Sequence, residues 1–74
     1  MDAQDIAKQV YYFRKYSGLS QQALAKLAGV GKTVVFDVEK GKTTVQLDTL
    51  LKIFAVLNMR FEVKGPFPFD KASQ

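Results

Sequence analysis

Residues 19–41 read LSQQALAKLAGVGKTVVFDVEKG, and the three glycines in this stretch decide how the chain folds. Ser20 stands directly before a short apolar-periodic run, where its hydroxyl is free to accept an amide two or three residues later, the role of an N-cap. Ala23, Leu24 and Leu27 share one side of a short helix from Gln21 to Ala28, and Gly29 ends it. Val30 plugs the turn, and Gly31 opens a further helix that runs to about Lys40 and closes at Gly41. Ala25 is small enough to let the two helices cross closely, and Gly29 supplies the positive φ that a tight turn requires. Val35 and Val38, spaced i, i+3, face inward and join Leu24 and Leu27 as core, which leaves Lys32, Thr33, Phe36 and Asp37 on other faces. Glu39 reads as a structural hydrogen-bond or salt-bridge partner.

Upstream of this stretch, Ile6, Val10, Phe13 and Tyr16 or Ser17 recur at three- and four-residue steps, which predicts a helix over about residues 3–17 that stops at Gly18. Downstream, Lys42-Thr43-Thr44 is a polar connector. Leu47, Leu50, Leu51, Phe54 and Leu57 then mark a fourth helix, with Asp48 in its first turn against the positive helix end. After Asn58 the period changes to two: Met59, Phe61 and Val63 alternate with Arg60, Glu62 and Lys64, the pattern of a strand. Gly65-Pro66 terminates it, and residues 65–74 form a short tail. No internal repeat, long charge block or interdomain linker interrupts this layout.

At 74 residues the chain has one small domain's worth of sequence, whose own core supplies modest stability, so a staple is expected. Cysteine and histidine are both absent, which removes disulfides and nearly all zinc and copper chemistry and leaves association as the remaining candidate. The same inventory permits no His-based triad and no thiolate, and the seven carboxylates are scattered, so the chain does not read as an enzyme and no cofactor is expected. A 47% hydrophobic share is globular, yet no apolar run approaches the ~20 residues of a membrane span. With no signal-peptide pattern at the N-terminus, cytoplasmic residence is the expectation. Eleven basic against seven acidic residues give +4, a mild excess that suits a nucleic-acid partner but also mere solubility.

The run Leu19-Ser20-Gln21-Gln22, Leu24-Ala25, Ala28-Gly29-Val30 and Val35 to Gly41 resembles the Cro/phage-repressor (XRE) family of DNA-binding domains, over about residues 6–58. Lys42 to Gln46 and the strand Met59 to Lys64 look most like the HipB-like antitoxins within it. The resemblance implies an all-α, lambda-repressor-like helix–turn–helix domain of four to five helices over residues 1–58. A C-terminal β-strand, residues 59–64, would pair across a dimer.

It also implies residue roles. Gln21 would bond a phosphate and brace the recognition helix, or else stand as a solvated first-turn residue. Lys32 and Thr33 sit in the first turn of that helix, nearest the base edges. Lysine suits guanine O6 or N7, and threonine can donate or set its methyl against thymine. Val34 or Phe36 would meet a thymine methyl, unless Phe36 packs on a neighbouring helix. Lys40, Lys42 and Thr43 would neutralise flanking phosphates. Gly31 departs from the family's usual Ser-type N-cap: it forgoes the side-chain cap but allows close backbone approach to a phosphate. Few base-reading side chains remain, so specificity is expected to lean on DNA shape.

A lone strand leaves its backbone groups unpaired, and the same strand of a second copy, antiparallel across a two-fold axis, is the simplest partner. Met59, Arg60, Phe61, Glu62 and Val63 are then the expected dimer interface, and a two-fold protein predicts an inverted-repeat operator on double-stranded DNA with half-sites roughly 34–36 Å apart. Phe67 and Phe69 in the apolar tail either dock on a partner protein or pack on the dimer's own surface. The HipB resemblance implies the partner, a HipA-like serine/threonine kinase toxin whose complex represses its own operon.

Overall fold

The computed structural model describes residues 1–66 and folds them into four helices: α1 (Ala3–Tyr16), α2 (Gln21–Ala28), α3 (Lys32–Glu39) and α4 (Leu47–Val56). Local chemistry sets each boundary. Asp2 accepts the Asp5 amide, and Asp5 returns the bond to the Asp2 amide, a capping box that starts α1. Ser20 Oγ accepts the Ala23 amide at 3.0 Å as expected, and Gly29 at φ +72° ends α2 in the left-handed conformation. Gly31 caps α3 with backbone alone.

Val10, Leu24, Ala25, Val35, Val38, Ile53, Phe54 and Leu57 form one buried cluster that all four helices share. Val30 packs against this cluster from the turn, the plug its position requires. One polar residue joins the interior. Arg14 sits one turn beyond Val10 on the buried side of α1 and meets Glu39 at the end of α3, Nε to Oε2 at 2.6 Å and Nη2 to Oε1 at 3.1 Å. A buried charge needs such a partner, because desolvation alone is worth several kcal/mol against it. The bond to Glu39 holds the Arg14 guanidinium above its ordinary pKa.

Expected inward positions on two helices are corrected. Leu27 is 64% exposed: burial of Leu24 and Ala25 centres the inner face of α2 between them, and at 100° per residue Leu27 falls roughly 110° away. In α1 the buried positions are Ala7, Val10 and Arg14, which turns Phe13 and Tyr16 outward instead.

The expected strand is the third correction. In the single chain residues 59–65 form no strand, because no other strand lies among the described residues to pair with them. Asn58 takes a left-handed backbone, φ 58°, and the Met59 amide reaches back to the Phe54 carbonyl at 2.9 Å, which closes α4. The period-two pattern shows in burial only as far as Phe61, since Val63 is exposed. Met59 and Phe61 turn onto the core, Phe61 stacked on Phe54 with centroids 4.6 Å apart, while Arg60, Glu62 and Lys64 are exposed. Phe67 and Phe69 lie outside the described residues. No helix among the described residues is long and apolar enough to cross a membrane.

Candidate nucleic-acid interface

Val35 and Val38 anchor one side of α3 in the core, and the opposite side is a ridge of Thr33, Phe36 and Lys40 at i, i+3, i+7, all exposed. Lys32 flanks this ridge at the helix start and Asp37 flanks it on the far side. Phe36 is one of the exposed side chains of the ridge. It is 47% exposed, with Lys40 Nζ 5.5 Å from its ring centroid, a cation–π contact that holds both side chains along the ridge. Val34 is half-buried against the core and lines a small groove with Asp37, Lys42 and Thr49, so it stands off the ridge.

The amino ends of α2 and α3 open into the same cleft. Its walls are Arg14, Lys15, Gly18, Leu19, Ser20, Gln21, Gln22 and Lys32, with no acidic residue among them. The amides of Gln21 and Gln22, and those of Lys32 and Thr33, lie in first turns where an α-helix provides no acceptor, so both helices direct partial positive charge here. Lys15 and Lys32 add full charges. The cleft is shaped and charged for an anion such as a phosphate.

Gln21 lies at the cleft and also reaches the recognition helix. Its Nε2 donates to Glu39 Oε1 at 3.0 Å, which ties the start of α2 to the Arg14–Glu39 pair. Gln22, exposed on the cleft wall, is a second glutamine beside it. Lys42 is drawn aside: its Nζ lies 3.5 Å from Asp37 and its amide bonds the Asp37 carbonyl. Thr43 is exposed beside it. The structure therefore gathers Gln21 and Lys32 at the cleft, Thr33, Phe36 and Lys40 on the ridge, and Lys42 and Thr43 on the connector. Lys15 and Gln22 were not singled out from sequence. Arg14 carried a readable signal, a charge four residues after Val10 on an apolar face, which demands a partner.

A helix anchored in the core by one side, presented end-on by a glycine turn and braced by the helix before it, makes this a helix–turn–helix protein. Residues 10–63 match the helix-turn-helix family HTH_3, and the chain belongs to that family. It is 36% identical over 62 residues to an uncharacterised HTH-type transcriptional regulator of Sinorhizobium fredii, covering 84% of this chain and 82% of that protein. An uncharacterised HTH-type transcriptional regulator of Haemophilus influenzae is 36% identical over 58 residues, covering 78% of this chain but 59% of its own length. The control protein C.SmaI of Serratia marcescens is 36% identical over 59 residues, covering 78% of this chain and 70% of its own. The crystal structure of an HTH_3 family transcriptional regulator from Vibrio cholerae superposes with a TM-score of 0.69 at 36% identity, over 78% of this chain and 33% of that one. This chain thus spans about three fifths of the Haemophilus relative and a third of the Vibrio structure.

Proposed function

We propose that this chain is a sequence-specific DNA-binding transcriptional repressor that works as a homodimer on an inverted repeat. One observation carries the reading: the exposed Thr33–Phe36–Lys40 ridge of α3 adjoins the acid-free cleft where both helix amino ends and Lys32 converge. A phosphate seated in the cleft fixes the ridge against the major groove, so that Lys32 and Thr33 reach base edges. Lys40, Lys42 and Thr43 meet flanking phosphates, Lys42 by exchanging Asp37 for the backbone. Residues 1–58 read DNA, residues 59–64 join the copies and residues 65–74 follow as a tail. The regulators among the relatives support the function. An electrophoretic mobility shift on DNA from upstream of the chain's own gene tests it, with Lys32→Ala/Thr33→Ala as control; equal binding by both proteins refutes the reading.

The finer reading is a HipB-like antitoxin that binds a HipA-like serine/threonine kinase and represses the shared operon. It is supported by the resemblance of residues 42–46 and 59–64. A regulator with no toxin partner is the second reading, favoured by the match to a control protein. Co-purification with a kinase-like protein encoded alongside separates the two.

A further inference from the structure

From Arg60 to Pro66 no backbone amide or carbonyl finds a hydrogen-bond partner among the described residues. Beside this segment α1 exposes an aromatic face. We propose that a second copy of the chain pairs with the segment antiparallel, with Phe61 on the two-fold axis, and that its Val63–Pro66 end covers the aromatic face of α1. The proposal rests on the homodimer reading above and adds its register and its second contact surface.

Side-chain geometry and charge select the register. Residues directly opposite in an antiparallel pair point to the same face, so the axis passes through a residue rather than between two. Centred on Phe61, Arg60 faces the partner's Glu62, the reciprocal pair repeats this, and Met59 faces the partner's Val63. Centred on Glu62, that residue faces its own copy and Arg60 faces the partner's Lys64; centred on Arg60, that residue faces its own copy. A register centred on Val63 also joins opposite charges, but it draws Pro66, which has no amide to donate, into the ladder. Phe61 is the centre that satisfies both charge and backbone.

That register leads onto α1. Met59 and Arg60 share a groove with Gln9 and Phe13, and the same two residues wall the adjoining face formed with Tyr12, Lys15 and Tyr16. A partner strand that sets its Val63 beside Met59 continues over these rings. Tyr12, Phe13 and Tyr16 are 67%, 42% and 91% exposed. At ~200 Å² per ring they leave roughly 400 Å² uncovered, about half of the ~800 Å² per partner in a stable interface. The segment supplies the remainder, with Val63 itself 81% exposed.

Sedimentation equilibrium of the full chain without DNA tests this. Arg60→Glu sets like charges opposite at two positions and weakens the dimer roughly ten-fold, and the double variant Arg60→Glu/Glu62→Arg restores it to within about threefold. Loss in the single without rescue in the double overturns the Phe61 register. Tyr12→Lys/Tyr16→Lys, whose exposed positions leave the fold and its circular dichroism unchanged, weakens the dimer roughly ten-fold or more. Wild-type affinity in that variant removes α1 from the interface. A wild-type chain that stays monomeric at about 100 µM sinks the homodimer reading itself, whereas a firm dimer indifferent to all these changes sinks only the register and the α1 surface.

Discussion

Arg14 reaches Glu39 through Nε and Nη2 and the Leu19 carbonyl through Nη1 at 2.8 Å, so each nitrogen of its guanidinium has a protein acceptor. The two side chains are 9% and 6% exposed, and Gln21 adds a third donor to the same carboxylate. One ion pair therefore joins α1, the start of α2 and the end of α3.

Removing one partner strands the other charge in the interior. Glu39→Ala is expected to cost about 3–5 kcal/mol, a large share of the 5–15 kcal/mol that holds a typical domain. Arg14→Met/Glu39→Met loses less than the sum of its single variants, by about 0.5–3 kcal/mol of coupling. Urea unfolding followed by circular dichroism measures both; simple additivity would show that the pair is energetically idle.

DNA binding is expected to separate readers from anchors. Thr33→Ala lowers affinity for the operator while leaving non-specific affinity nearly unchanged. Lys40→Ala lowers both alike and reduces the salt slope by about one. If the dimer makes six to ten phosphate contacts, affinity falls by about 10³–10⁵ between 50 and 200 mM salt. Fluorescence anisotropy across a salt series reads all three quantities.

Gly29 holds φ +72° in the turn, and a Cβ built there meets nothing within 4 Å. Its requirement is one of backbone conformation, with no steric part. Gly29→Ala is expected to cost about 1–2 kcal/mol, and Gly29→Asn clearly less, because asparagine tolerates the left-handed region. Thermal melts of the two variants decide it; equal losses would mean that crowding matters after all.

The Asp5 amide, donating to Asp2, holds the Asp2 carboxyl below its ordinary pKa. A depressed folded value stabilises the cap above the unfolded carboxylate range of ~3.9 and is lost as pH falls through the folded value. The first-turn amides of α1 should accordingly lose exchange protection below about pH 4, relative to the middle of the helix. Asp2→Asn keeps the cap and flattens that dependence; an unchanged acid profile would rule out Asp2 as its source.

The glycine and serine boundaries were legible in the sequence because caps act within a few residues: Ser20, Gly29 and Gly31 each do locally what their chemistry dictates. What escaped depends on contacts distant in sequence. Arg14 and Glu39 lie 25 residues apart, and only their pairing explains why α1 buries a charge and turns Phe13 outward. Leu27 was misplaced because in an eight-residue helix a few inward positions define the face poorly. Lys15 and Gln22 join the cleft only once the ends of α1, α2 and α3 converge. Residues 59–61 alternate in burial but Val63 is exposed, and a ladder needs a second strand, which the described residues do not provide.

Asn58 gives the chain its bearing as it leaves α4, and the Phe54–Phe61 stack pins it again three residues later. In a paired molecule this short span acts as a lever arm between the two recognition helices. Substitutions there, remote from any base or phosphate, would retune the length of the operator's spacer while leaving its half-site letters untouched.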